Sequence, residues 1–149
     1  MELILWRHAD AADGYPDIER PLTDKGIRQA ERMAAFLRDK LPKDIRILVS
    51  PAKRAQQTAA ALARHYITEP AIQPNCSVED MLTAAGWPDA ERDVLIVGHQ
   101  PVIGATLCSL LCNRYDSFSV KKGAVWWVSR RTRAEDETHL RLSITPDLL

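Results

Sequence analysis

Hydrophobic residues fall in two rhythms along the chain, short runs of consecutive or nearly consecutive apolar positions and longer stretches spaced by three and four. Leu3-Ile4-Leu5-Trp6 runs straight into Arg7-His8, Ile45-Arg46-Ile47-Leu48-Val49 into Ser50-Pro51, and Val94-Leu95-Ile96-Val97 into Gly98-His99. Short apolar runs of this kind predict buried strands, most at home in a parallel sheet. Between the first two, Ala11 to Leu22 is a polar connection containing Gly14 and Pro16. Thr23 predicts an N-cap, and Ile27, Ala30, Ala34, Leu37 and Leu41 mark the inner face of an amphipathic helix that Pro42 ends. Arg28, Glu31, Arg32 and Arg38 are left for solvent. Gly26 in the first turn weakens that helix, which predicts a close backbone approach there.

Pro51 suits a helix start, and Ala55 through Tyr66 predicts a second helix rich in alanine. Ala71 to Gln73 predicts a short strand. Asn75 to Ala85 reads as loop or as a short helix begun by Ser77, broken by Gly86-Trp87-Pro88. Pro101 to Cys112 predicts an apolar helix. In the last third, Val125 to Val128 predicts a strand, Arg130 to Glu137 a charged turn, and the alternation of Leu140, Leu142 and Ile144 an antiparallel strand with one solvated face. Trp126 and Trp127 then point to opposite faces, one into the core and one partly exposed. The chain shows no internal repeat or linker, and its 149 residues predict a single α/β domain spanning 1–149.

Charge narrows the function classes. Twenty Lys and Arg balance twenty Asp and Glu, so no global field points to nucleic acid or to an acidic membrane surface. No apolar run approaches the roughly 20 residues that span a bilayer, and the opening strand leaves no room for a signal peptide. Three cysteines are spaced unlike a disulfide framework. A cytoplasmic enzyme or binding module is the expectation. Cys108 and Cys112 share a helix face but lack a third ligand nearby, so they read as small buried hydrophobes. His65 and His139 read as bystanders. Lys121, Lys122, Arg130, Arg131 and Arg133 form a local basic excess interrupted by Glu135, Asp136 and Glu137, which reads as a solvated turn.

Three strand-to-helix junctions carry Arg7-His8, Arg54 and His99. Right-handed βαβ connections bring the carboxyl ends of parallel strands to one edge, so these residues can converge. Two arginines and two histidines at such an edge suit a phosphoryl group, which guanidinium forks and helix-start amides neutralise. Taken singly, Arg54 reads as a solvated charge and each histidine as a hydrogen-bonded structural residue. Three coincidences at corresponding places favour function.

Leu5-Trp6-Arg7-His8, Arg20-Pro21-Leu22-Thr23-Asp24-Lys25-Gly26, the stretch Ser50 to Ala59, and Val97-Gly98-His99-Gln100-Pro101 resemble the histidine phosphatase superfamily. Their order and spacing are similar to its small SixA-like phosphohistidine phosphatase branch. The likeness covers residues 1 to about 112 and continues more loosely through the terminal strands. It implies a three-layer α/β/α, phosphoglycerate mutase-like fold, with a mostly parallel sheet and antiparallel C-terminal strands. It also implies a phosphohistidine intermediate formed without metal or other cofactor. His8 is then the nucleophile, with Arg7, Arg54 and His99 forming the phosphate pocket. Position 9 is Ala where the superfamily more often has Gly, which looks like a marker of the small branch.

In larger relatives a carboxylate after the second helix donates a proton to the leaving group. Asp80, with Glu79 beside it, occupies the comparable stretch, though the pair also reads as charges on a solvated helix. Arg20 is placed on the pocket rim, or alternatively in a salt bridge to Asp17 or Asp24. The expected chemistry is in-line attack by unprotonated His8, with Arg7, Arg54 and, if it is protonated, His99 stabilising the transferring oxygens. About 40 residues separate Arg54 from the strand at Val94, too few for the long lid of larger members. An open pocket suits phosphohistidine on a histidine-phosphotransfer protein, and it admits small phosphoesters too. A non-catalytic phosphoprotein-binding module is the alternative class, although a binder would need only the arginines.

Overall fold

Six strands form one mixed sheet in the computed structural model, which describes residues 1–131 and 137–149. β1 (Glu2–Arg7), β2 (Arg46–Val49), β3 (Ile67–Thr68), β4 (Val94–Gly98), β5 (Val125–Arg131) and β6 (Glu137–Ile144) lie in the order β3-β2-β4-β1-β5-β6. The first four are parallel to one another, whereas β5 runs antiparallel to β1 and β6 to β5. Helices α1 (Asp24–Arg38), α2 (Lys53–Ala60), α3 (Val78–Ala85) and α4 (Val102–Cys112) complete an α/β/α sandwich.

Strand alternation builds the two cores. Leu3 and Leu5 of β1 face α3 and α4 through Met81, Ile103 and Leu107, while Ile4 and Trp6 face α1 and α2 through Met33, Leu37 and Ala55. Every residue from Leu3 to Trp6 is buried, as is every residue of β4, because both strands lie inside the sheet with helices on each side. The chain steps outward from β1 to β2 and β3, then returns to insert β4 beside β1. That reversal opens a crevice beyond the carboxyl ends of β1 and β4.

Thr23 caps α1 by accepting from the Gly26 amide, as its position predicts. The buried face of α1 is Gly26, Ala30, Met33, Ala34 and Leu37; Ile27 is exposed, one position round the helix from that stripe. A side chain at Gly26 would overlap the Asp10 carbonyl, so α1 and the segment after β1 touch backbone to backbone. Gly26→Ala is therefore expected to destabilise the fold by about 1–3 kcal/mol or more, since that neighbour is backbone and cannot rotate away. A shift of the thermal midpoint downward by several degrees checks this.

Several boundaries differ from the sequence expectation. α2 stops at Ala60, and the Tyr66 hydroxyl turns back to donate to Gln56 Oε1 at 2.8 Å. Residues Pro70–Ile72 form a 3-10 turn, not a strand. Glu69 accepts the Ala71 amide there, while Ile67 and Thr68 pair with β2. Cys112, the last residue of α4, is exposed, whereas Cys108 is buried. Trp127 is buried and Trp126 half-buried against Phe118, as alternation requires. In β6 the pairing shifts register opposite Trp127 and Val128, which pair with Leu142 and Leu140. The bulge puts Leu140 and Leu142 on opposite faces, so the three apolar residues do not share one. Arg133, Glu135 and Asp136, and most of the charged turn expected there, lie outside the described residues. No described helix is long and apolar enough to cross a membrane.

Candidate active site

Parallel pairing sets the site. β1 and β4 run side by side with Arg7 opposite Gly98, so His8 and His99 leave the sheet together. The His8 amide donates to the Gly98 carbonyl at 3.0 Å, and the two imidazole centroids lie 5.2 Å apart. β2 ends beside them, where the Ser50 amide donates to Val97. α2 begins two residues beyond Pro51 and carries Arg54 in its first turn. Thr58, one turn on, accepts the Ala9 amide and ties α2 to the residue after His8. Gln29 and Gln57 accept the amides of Asp10 and Leu22, pinning both ends of the connection before α1.

The result is a cleft of about 290 Å³ lined by Arg7, His8, Arg20, Arg54 and His99, with Asp17, Asn75, Gln100 and Lys122 at its margins. Arg54 is 5% exposed and His99 3%, so both are held within the fold and turned to this opening. Arg7 donates to the Val120 carbonyl at 2.8 Å through Nη1, and its buried Nε has no protein partner. Arg54 donates through Nη1 to the Asp17 carbonyl at 2.8 Å and through Nη2 to the Asp17 carboxylate at 3.1 Å, and its Nε is likewise unpartnered. Arg20 donates to the other Asp17 oxygen at 3.0 Å. Both expectations for Arg20 are met at once, the rim position and the bridge to Asp17.

His8 Nδ1 lies 2.7 Å from the Ala9 carbonyl, which can only accept. Nδ1 therefore carries the proton, and Nε2 keeps its lone pair. Burial pushes the His8 pKa down to about 4, against the pull of that carbonyl, with Arg54, Arg7 and Arg20 adding repulsion. His99 is pushed down to about 3 by burial, then by His8 and Arg54, with Asp17 opposing. His99 is thus neutral near pH 7, so the condition under which it would add positive charge is not met. Both imidazoles bind a proton more readily unfolded than folded. Stability is therefore expected to decline as pH falls from about 6.5 through 4, where the unfolded chain holds more protons. An NMR titration checks the cause directly: His8 protonating near 6.5 would contradict it.

Of the two readings open for Asp80, its position favours the charge at a solvated helix start. It is not among the residues lining the cleft. Its carboxylate accepts the Ser77 amide at 3.0 Å while Ser77 Oγ accepts the Asp80 amide, a reciprocal capping box at the start of α3. Those bonds hold its pKa below the usual carboxylate range, so it stays ionised. Glu79 is exposed on the same turn. Asp80→Asn is expected to change alkyl and aryl phosphate hydrolysis equally, by less than about twofold. A selective loss on the alkyl ester would return Asp80 to the proton-donor role.

Two residues at the site escaped the sequence reading. Asp17 was named there only as a partner for Arg20, yet it joins Arg54 and Arg20 and is the one carboxylate among the described lining residues. Hydrogen bonds from Arg20, then Arg54, keep it below its ordinary pKa. Ser50 is fully buried, accepts the Ala52 amide at 3.2 Å, and places its Oγ 2.7 Å from His99 Nε2. His65 is exposed in a connection and His139 lies on β6, both outside the cleft. Among the described residues no group of His, Cys, Asp and Glu is arranged to hold a metal ion.

Residues 3–76 match the histidine phosphatase superfamily (branch 1). An uncharacterized Mycobacterium tuberculosis protein is 36% identical over 106 residues, 66% of this chain and 65% of that relative, so the matched segment spans just under two thirds of its length. The phosphohistidine phosphatase SixA of Escherichia coli is 31% identical over 120 residues, 74% of each chain. Among solved structures, a protein assigned as a phosphohistidine phosphatase SixA from Nakamurella multipartitia superposes with a TM-score of 0.78 at 30% identity, covering 97% of this chain and 95% of that one. With the Arg7-His8, Arg54 and His99 geometry in place, the chain belongs to the histidine phosphatase superfamily, in its SixA-like branch.

Proposed function

We propose that the chain is a phosphatase that passes a phosphoryl group through His8 and takes it from phosphohistidine displayed on another protein. One observation carries the reading. A nucleophile with a free Nε2 lies among three arginines, in a cleft where the one carboxylate among the described lining residues is held ionised by two of them. Such a lining suits a phosphoryl group, and among the described residues it offers no carboxyl group ready to protonate a leaving alkoxide. An alkoxide is too basic to depart readily without that help. An imidazole leaving group takes its proton from solvent, so phosphohistidine fits such a site. The 31% identity to a protein named phosphohistidine phosphatase SixA supports the same choice.

In the first step His8 Nε2 attacks phosphorus in line, the P–N bond to the substrate imidazole breaks, and that imidazole picks up a solvent proton. In the second, water attacks the phosphorylated His8, its P–N bond breaks, and Nε2 regains its lone pair as phosphate leaves with the oxygen of water. Arg7 and Arg54 neutralise the equatorial oxygens with forked donors throughout. In the tautomer this reading takes, Ser50 donates to His99 Nε2, and the Nδ1–H of His99 is then a neutral donor on the side of the same oxygens. The positive charge this transfer needs comes from arginine, so activity is expected to survive a chelator.

Turnover of three substrates tests the proposal: a phosphohistidine peptide, an activated aryl phosphate and glycerol phosphate. The first two are expected to be hydrolysed, with the alkyl ester slower by about 100-fold or more, the range an absent general acid costs. Preference for the alkyl ester would overturn the reading. Binding of all three without turnover would make the chain a phosphate-binding module.

A further inference from the structure

Beside the phosphate cleft lies a second and larger one, of about 800 Å³. The two share Arg7 and Lys122 in their linings, so they adjoin. Lys25, Arg28 and Arg32 line it from α1 at spacings of three and four. One face of that helix therefore presents a cationic row about 10 Å long. Lys121 and Lys122 face the row from the segment before β5, and the C-terminal turn Pro146–Leu148 closes the far side, with Asp147 the one acidic residue among the described lining residues.

All five of these lysines and arginines are exposed. Lys122 is paired with Asp10 at 2.8 Å, but among the described residues no carboxylate lies within ion-pair distance of Lys25, Arg28, Arg32 or Lys121. The chain as a whole is neutral, so this concentration is local. Like charges crowded around one opening repel one another, and an anionic partner relieves that repulsion.

We infer that this cleft docks an acidic segment of the phosphoprotein substrate, the residues flanking its phosphohistidine. The inference rests on the phosphohistidine reading above and adds the partner's chemistry to it. The row is longer than a phosphoryl group needs, which favours a polypeptide over a small phosphoester. None of the lining side chains is aromatic, so bases of a nucleic acid have nothing to stack on.

The test compares two phosphohistidine peptides identical except that the flanking residues are glutamate in one and glutamine in the other. Rates are measured with the full chain and with Arg28→Glu/Arg32→Glu, a change confined to the exposed face of α1. The full chain is expected to favour the glutamate peptide by about tenfold in kcat/KM, with the ratio falling to one or below in the variant and shrinking in high salt. Affinities of the same sequences carrying a stable triazole analogue of phosphohistidine, read by fluorescence anisotropy, should follow the same order. Equal handling of both peptides, or a preference that persists in the variant, overturns the docking surface while leaving the phosphatase intact. Tighter capture of a single-stranded oligonucleotide than of the glutamate peptide overturns it as well. Failure to turn over either peptide, with aryl phosphate still hydrolysed, would instead remove the phosphohistidine reading, and the docking inference with it.

Discussion

His8→Ala is expected to lower turnover of every phosphoryl substrate by about 10⁴-fold or more, the scale on which removing a covalent nucleophile acts. The arginine cluster would remain, so phosphate and vanadate should still bind. The fold should remain too, because His8 lies at the end of β1 and contributes only its ring to the cleft, while its backbone bonds to Gly98 and Gly123 do not depend on the side chain. Native-like circular dichroism with vanadate binding retained, but no turnover, is the combination that isolates the nucleophile. Turnover within about tenfold of the parent would show that phosphoryl transfer does not pass through this residue.

The second large effect is expected at Arg54. Lysine keeps the charge but cannot reproduce a planar fork that reaches Asp17 through two nitrogens while lining the phosphate cleft. Arg54→Lys should therefore reduce kcat by about 10²–10³-fold, the usual loss when a preorganised donor to a developing oxyanion goes. Vanadate inhibition should weaken in parallel. Wild-type vanadate affinity in this variant would place Arg54 outside the phosphate pocket and reduce its role to holding Asp17.

The centre of the molecule was legible from sequence because burial on both faces leaves no ambiguity. β1 and β4 are unbroken apolar runs, and their parallel pairing follows from the helices between them. The convergence of Arg7, His8, Arg54 and His99 followed from topology alone, since parallel strands deliver their carboxyl ends to one edge. Where a residue's partner is distant in sequence, the reading failed. Asp17 holds Arg54 across 37 positions, and nothing local to either announces the other. Ser50 meets His99 across 49.

Asp80 left two readings open for a different reason. Ser77-Val78-Glu79-Asp80 carries its own signal, a serine three residues before an acid at a helix start. That local pattern outweighs a comparable position in larger relatives. The sheet edge was hard for a third reason. A two-residue β3 leaves no periodicity, and the bulge in β6 reverses which face Leu140 occupies without any mark in the alternation.

The most direct measurement is rapid-quench trapping of the enzyme during turnover of ³²P-labelled phosphohistidine peptide, followed by digestion in base and mapping of the label. A covalent intermediate on His8 predicts label that survives base, is lost in acid, maps to the peptide containing His8, and is missing from His8→Ala. Label on another residue, or steady turnover with no labelled protein at any quench time, would contradict phosphoryl transfer through His8.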